Sequence, residues 1–330
     1  MFLALTACLG IVCLLSLLFG AGAIGPGLSL TSLLGLDTSW GTDLREEARF
    51  VIHDLRLPRT LIGLAVGMAL GVAGALLQAV ARNPLAEPGL LGVSAGSAFA
   101  VAVALVLGAS AATLRVSVAQ LGALVGCLCV LGATRLRGVG SDPVRLVLAG
   151  AVLSGLLGAL TSMILLFDQR TADEIRFWVV GSLAGRRLDD LLAILPSLGL
   201  AALVTLAVGR PLAALALGGH VAVGLGPHPG LVRLLVIVVV ALLIGAATAV
   251  AGPVAFVGLV VPFAARALAG PDIRRTLWLC LPLGPLVVIG ADIVSRLVVQ
   301  PSELPLGVLT ALLGAPVLIL VVRARRLPSL

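Results

Sequence analysis

Side chains that could do chemistry are scarce in this chain of 330 residues. It holds 15 acidic residues, three histidines and five cysteines, and all 22 basic residues are arginine. A phosphate-binding P-loop needs a lysine, and so does Schiff-base chemistry. A chain without lysine does neither, so any ATP that drives it binds another polypeptide. Cys8, Cys13, Cys127, Cys129 and Cys280 all lie in apolar runs. Cys127 and Cys129 face opposite sides of a helix, and no spacing matches a zinc site. They read as small buried hydrophobes. His53, His220 and His228 are scattered and form no ligand set. No catalytic residue, metal site or cofactor is assigned to this chain.

A few charged groups stand out. Asp292 and Arg296 are four apart and can pair on one helix face. An ionisable pair in or near a membrane is either functional or a structural salt bridge. Residues 37–59 and 168–190 carry both signs of charge. They are either solvated loops or a docking face, with arginine as the bidentate partner of carboxylates. No chain of Asp, Glu or His crosses the apolar segments, which argues against a proton-coupled carrier and against a membrane-embedded enzyme.

The elements that must position these groups follow from composition. The chain is 60% hydrophobic and 11% charged, with a mean hydropathy of +1.21. Soluble domains are about 45–50% apolar and about 25% charged. Too few charges are present to cover a water-facing surface, which excludes a soluble enzyme, a disordered chain and a fibrous repeat. Membrane lipid solvates the exterior instead, and no nucleic acid partner is expected.

Charge-free stretches cover 1–36, 60–81, 88–114, 116–134, 146–167, 191–209, 211–232, 234–265, 276–291 and 304–322. Residues 211–230 are rich in Gly and Pro and read as a short helix in a loop. The run 234–265 is too long for one crossing and divides at Gly252-Pro253. The reading is an all-α polytopic membrane protein of ten transmembrane helices, forming one domain over 1–330. Each run is continuously apolar, which excludes a barrel. Phe2–Ile24 is the first crossing rather than a signal peptide, because no basic residue precedes it and it exceeds a usual h-region.

Ten crossings put both termini on one side. With that side cytoplasmic, twelve arginines lie inside and ten outside, a small vote under the positive-inside rule. Gly63, Gly67, Gly71 and Ala75 recur every fourth residue and form a smooth stripe. The stripe serves either ordinary helix packing or a gate or subunit interface. Asn83, Pro84, Glu87 and Pro88 form a short rigid cytoplasmic turn between the second and third spans. Gly252-Pro253 is a hinge or helix start on the external side.

From Arg56-Leu57-Pro58-Arg59 onward the chain resembles the permeases of FecCD-type ABC importers, which carry iron–siderophores, haem or cobalamin. The resemblance rests on Gly71 to Gln78, on Arg82-Asn83-Pro84-Leu85-Ala86-Glu87-Pro88-Gly89, and on Gly252-Pro253 through Pro262. It continues in Gly290-Ala291-Asp292, Ser295-Arg296, Glu303-Leu304-Pro305-Leu306-Gly307 and Gly314-Ala315-Pro316. It covers residues 56–323. Several long motifs in order make it specific.

The resemblance implies the type II importer fold and a pair of permeases, identical or paralogous, around one pathway. It also implies two ATP-binding subunits that hold ATP and Mg²⁺ on the cytoplasmic side, and an extracytoplasmic substrate-binding protein. The location is the inner membrane. It implies that Arg56, Arg59 and Arg296 meet carboxylates of the binding protein. The ATPase-coupling element corresponds to Leu217, Gly218, Gly219, His220, Val221, Ala222, Leu225 and Gly226. Gly219 and His220 stand where acidic residues are usual, and Phe263 where the family often has histidine. The expected cargo is a ferric siderophore, with haem and cobalamin as alternatives and an ion-coupled secondary transporter as a more distant one.

Overall fold

The computed structural model describes residues 1–22, 24–35, 42–109, 115–135, 143–216, 228–300 and 302–323. Among the described residues every regular element is helical. Two helices, α1 (Phe2–Leu18) and α2 (Pro26–Leu34), precede α3 (Thr42–Phe50), which runs through a π-helical turn, Val51–Arg56, into α4 (Leu57–Ala81). A 3₁₀ turn at Pro88–Leu91 leads to α5 (Val93–Val106), followed by α6 (Arg115–Arg135) and α7 (Pro143–Phe167). Then come α8 (Gln169–Val179), α9 (Leu188–Ala216), α10 (Pro229–Ala251), α11 (Val257–Ala269), α12 (Ile273–Val298) and α13 (Leu306–Arg323). Six of these segments are long and apolar enough to cross a membrane, and α1, α5, α11 and the apolar part of α13 are shorter apolar helices. Together they account for the ten apolar segments of the sequence.

At the centre stands α4, largely buried along its apolar length, as is α10. Apolar helices in lipid gain nothing by hiding from water, so they associate where small residues let backbones close in. On α4 those residues are glycines. A Cβ on Gly67 would land on the backbone of Gly284 and Pro285 of α12, and one on Gly74 on the backbone of Gly258 of α11. Gly71 faces Val261 and Cys280, Gly63 faces Ile289 and Leu183, and Ala75 is fully buried. The stripe is therefore spent on packing within this chain. It is not free to form a subunit interface.

Several boundaries differ from the sequence reading. Residues 42–59 are helical rather than looped, because Ala48 and Val51 pack under α2 against Ile24 and Leu28. The 168–190 segment contains α8, anchored by the buried Ile175 and Trp178. By contrast α12 is longer than its charge-free core. It continues through Pro282 and Pro285, held where α4 presents glycine.

The turn after α4 departs most. Arg82 takes the left-handed conformation (φ 48°), and Asn83 Oδ1 accepts a hydrogen bond from the Leu85 amide at 2.9 Å. The chain then doubles back rather than staying at the surface. Pro88 comes to rest against Gly258, which itself lies against the Leu70 carbonyl. At 1.5 Å per residue that level is roughly 15 Å back along α4 from Ala81. Non-helical backbone at such a depth must be enclosed by protein, and here α4, α10 and α11 enclose it. Asn83 is exposed at the end of α4 and Pro88 is buried, so the expectation of a short turn confined to the surface is corrected for Glu87 and Pro88.

The close approaches set a test. Gly74→Val should destabilise the protein by about 1–3 kcal/mol through overpacking, read as a lowered Tm in detergent. Gly10→Val, at a position where an added Cβ meets nothing within 4 Å, should leave Tm nearly unchanged. Equal behaviour of the two variants would remove backbone contact as the basis of the packing.

Candidate functional site

The start of α4, the end of α12 and the end of α1 converge on a cluster of charges. Arg59 donates from Nε to both oxygens of Asp292 at 3.0 Å and from Nη2 to Asp292 Oδ1 at 2.7 Å. Its Nη1 donates to Glu303 Oε1 and Oε2 at 2.9 and 2.8 Å. Asp292 also pairs with Arg296, at 3.0 Å from its Nη2. One buried carboxylate thus bridges two guanidiniums, and Glu303, partly exposed, completes the first of them.

The remaining donors go to a helix end. The last carbonyls of a helix have no intrahelical partner, and cations are favoured there. Arg56 Nη1 donates to Leu17 O and Leu18 O, both at 2.9 Å, and to Ser29 Oγ at 2.9 Å, while its Nη2 reaches Ile24 O at 3.1 Å. Arg296 Nη1 donates to Ser16 O at 3.1 Å and Phe19 O at 3.0 Å, and its Nη2 to Ser16 Oγ at 2.8 Å. Two arginines from two other helices therefore cap α1.

This arrangement corrects the docking assignment in part. Arg56 and Arg296 are 4% and 2% exposed, interior residues whose hydrogen bonds go to their own chain. They are not on a rim. A guanidinium taken out of water must find acceptors, and carbonyls of α1 and the Asp292 carboxylate supply them. Only the Arg59–Glu303 pair reaches the surface, with Glu303 27% exposed.

A second cluster lies toward the other end of α4. Arg82 Nη2 donates to the Leu215 carbonyl at 2.5 Å, tying the turn to the last residues of α9. Gln78 Oε1 accepts from Arg266 of α11, and Arg266 is buried. Glu87 Oε1 accepts from the Phe256 amide at 3.0 Å, where Phe256 is held left-handed (φ 66°) just before α11. The break between α10 and α11 falls at Gly252-Pro253. Gly252 (φ 73°) lies so close to Trp178 O that a Cβ would strike it. Ser182 N donates to Ala251 O at 2.8 Å, which ties the end of α8 to that break.

Leu217 through Gly226, the expected coupling element, lie outside the described residues. The structure does place Leu215, two residues before them, in the grip of Arg82. Sequence reasoning missed Gln78–Arg266 and Arg82–Leu215, and gave Glu303 no role. Glu303 stood in a recognised motif, and an isolated acid flanked by apolar residues next to a span was the available signal.

A bundle of apolar helices with broken crossings, deep re-entrant backbone and its buried charge gathered into two clusters defines a polytopic membrane transporter. Comparison places it further. Residues 8–324 match the FecCD transport family, and the chain belongs to that family. It is 42% identical over 312 residues to the ferric enterobactin transport system permease protein FepD of Escherichia coli K12, covering 94% of this chain and 91% of that protein. It is 34% identical to the cobalamin import system permease protein BtuC of Halobacterium salinarum, covering 86% and 76%. A solved structure of a metal-chelate type ABC transporter in an inward-facing conformation superposes with a TM-score of 0.81 at 30% identity, over 98% of both chains. The chain is thus a transport permease of the ABC importer class, a multi-pass membrane protein and not an enzyme. In this class ATP hydrolysis and substrate capture belong to partner subunits.

The charge cluster sets its own test. Asp292→Ala leaves two buried guanidiniums without their shared counter-charge and should cost about 3–5 kcal/mol. Glu303→Gln removes a partly exposed partner and should cost about 1 kcal/mol or less. Denaturation of the purified protein in detergent compares them. Equal costs would show that Asp292 is not the bridging group.

Proposed function

We propose that this chain is the membrane path for a ferric siderophore, working by alternating access within an importer of two permeases and two ATP-binding subunits. The observation that carries the cargo is its 42% identity, over nearly its full length, to a permease named for ferric enterobactin. The similarity to a cobalamin permease favours cobalamin as the second reading.

The binding protein docks at the face where Arg59 and Glu303 are found. A carboxylate of the docking lobe competes with Glu303 for Arg59, while Asp292 keeps the guanidinium in place. Both ends of the described chain lie at the opposite face. Phe2 packs edge-on against Trp278 near the start of α12, with centroids 6.4 Å apart, and α13 leads away from Glu303 to Arg323. That face also carries Arg274, Arg275 and Arg323, and the positive-inside rule makes it cytoplasmic.

ATP and Mg²⁺ act on the partner subunits there, against residues 217–226. Movement of that segment reaches the core through Arg82 on Leu215, and through Glu87 on the start of α11. The second permease covers α7, which is apolar, largely unburied in this chain, and open at Gly155 and Gly158. Small residues on an exposed apolar face suit a close helix contact.

Co-expression with the ATP-binding subunit and the binding protein tests the assignment. Cells depending on the complex should accumulate iron from ferric enterobactin and not cobalamin. Uptake of cobalamin alone would transfer the cargo to the second reading. Arg82→Gln should leave the complex assembled while uncoupling uptake from ATP hydrolysis, and wild-type transport by that variant would rule out the Arg82 link. Arg59→Glu should weaken capture of the binding protein by about tenfold or more, and unchanged capture would remove Arg59 from the docking surface.

A further inference from the structure

A cavity of about 940 Å³ lies in a groove between α4, α9 and α12 and is separate from both charge clusters. Its walls are apolar for most of their length. Along α9 it extends from Leu195 to Arg210, or about 22 Å of helix rise. Of the α9 residues that line it, Thr205 carries the one polar side chain before the arginine. The far wall is Ala65, Met68, Ala69 and Val72 of α4.

One end of the groove has a different chemistry. Arg210 of α9 and Arg274 of α12 both line it, and Trp278 stands one turn inward of Arg274, 56% exposed. α9 finishes beside Arg82 at the end of α4, and α12 starts there and runs back along α4 to Asp292. The two arginines are therefore at the same depth. Both are exposed, and among the described residues neither guanidinium has a hydrogen-bonding or ion-pairing partner. The nearby Asp272 is already committed. Its Oδ1 accepts from the Arg274 and Arg275 amides at 2.8 and 3.4 Å, and its Oδ2 lies 3.5 Å from Arg275 Nε.

We infer that this groove holds one anionic phospholipid of the bilayer, its acyl chains along α4 and α9 and its phosphate between Arg210 and Arg274. The dimensions fit. Half the hydrocarbon thickness of a bilayer is about 15 Å, which the apolar part of the groove spans. Two forked donors without acceptors among the described residues match a phosphate diester. Basic pockets between helices on the cytoplasmic side favour acidic headgroups, and a tryptophan at this level sits where aromatic side chains collect at the membrane surface. The occupant is a lipid rather than cargo, because the groove opens sideways past the exposed Leu195 and Leu206 onto the apolar outside of the chain. The inference rests on membrane insertion, not on the siderophore reading.

The test uses the full chain purified with its ATP-binding subunit and reconstituted in nanodiscs of phosphatidylglycerol and phosphatidylcholine. After return to detergent and exhaustive washing, retained lipid is counted by mass spectrometry. The wild type should keep about one phosphatidylglycerol per chain in preference to phosphatidylcholine. Arg210→Gln with Arg274→Gln should weaken that retention by about thirtyfold, taking each arginine at its ordinary worth near an anionic headgroup. Gly199→Trp, where an added Cβ meets open space, fills the groove without touching the arginines and should abolish retention of either lipid. Equal retention of the two lipids, undiminished phosphatidylglycerol in the arginine variant, or no lipid on the wild type because a partner subunit covers the groove would each overturn the inference. Siderophore uptake is not read in this experiment, so a wrong cargo leaves its result intact.

Discussion

Backbone contact along α4 is the constraint on which the rest is built. Gly67 against Gly284 and Gly74 against Gly258 bring α12 and α11 closer to α4 than any side chain would allow. In water a poorer fit could be offset by burial of apolar area, but lipid offers no such reward. These approaches set the register of α12, and that register puts Asp292 beside Arg59, eight residues before Gly67. They also set where α11 begins, and so place Phe256 within reach of Glu87. Both charge clusters are downstream of the same glycines.

The cluster at the start of α4 shows how charge is kept in an apolar chain. Three guanidiniums face two carboxylates, so ion pairing alone leaves an excess. The carbonyls at the end of α1 take it up. The exchange serves both parties, since those carbonyls would otherwise lack donors where water is scarce. Gly20 fits the same logic, because a Cβ there would strike the Arg56 guanidinium.

Much of the architecture was legible in the amino-acid sequence, because an apolar run of crossing length has few alternatives. The ten segments, the division at Gly252-Pro253 and the glycine stripe are local patterns. The partners of the arginines are not local. Arg59 meets Asp292 across 233 positions and Glu303 across 244, and nothing in the spacing marks those pairs. Resemblance pointed outward, to carboxylates on another protein, where the fold supplies carboxylates of its own. The depth of Glu87 was hidden for a similar reason. Two prolines and an asparagine announce a turn, but only the gap beside Gly258 says how far in it reaches.

The capping of α1 also bears on how the chain is made. Its last turn leaves the ribosome early, while Arg296, which fills half of its open carbonyls, follows 280 residues later. Until then α1 can hold only the bonds offered by Arg56 and its neighbours. α1 is thus fully secured only after a helix made much later, and its final seating must await the arrival of α12 in the bilayer. A nascent chain stalled before Arg296 would carry a loosely held leading helix. The arrival of α12, rather than the insertion of α1, is thus the point at which this end of the bundle takes its finished form.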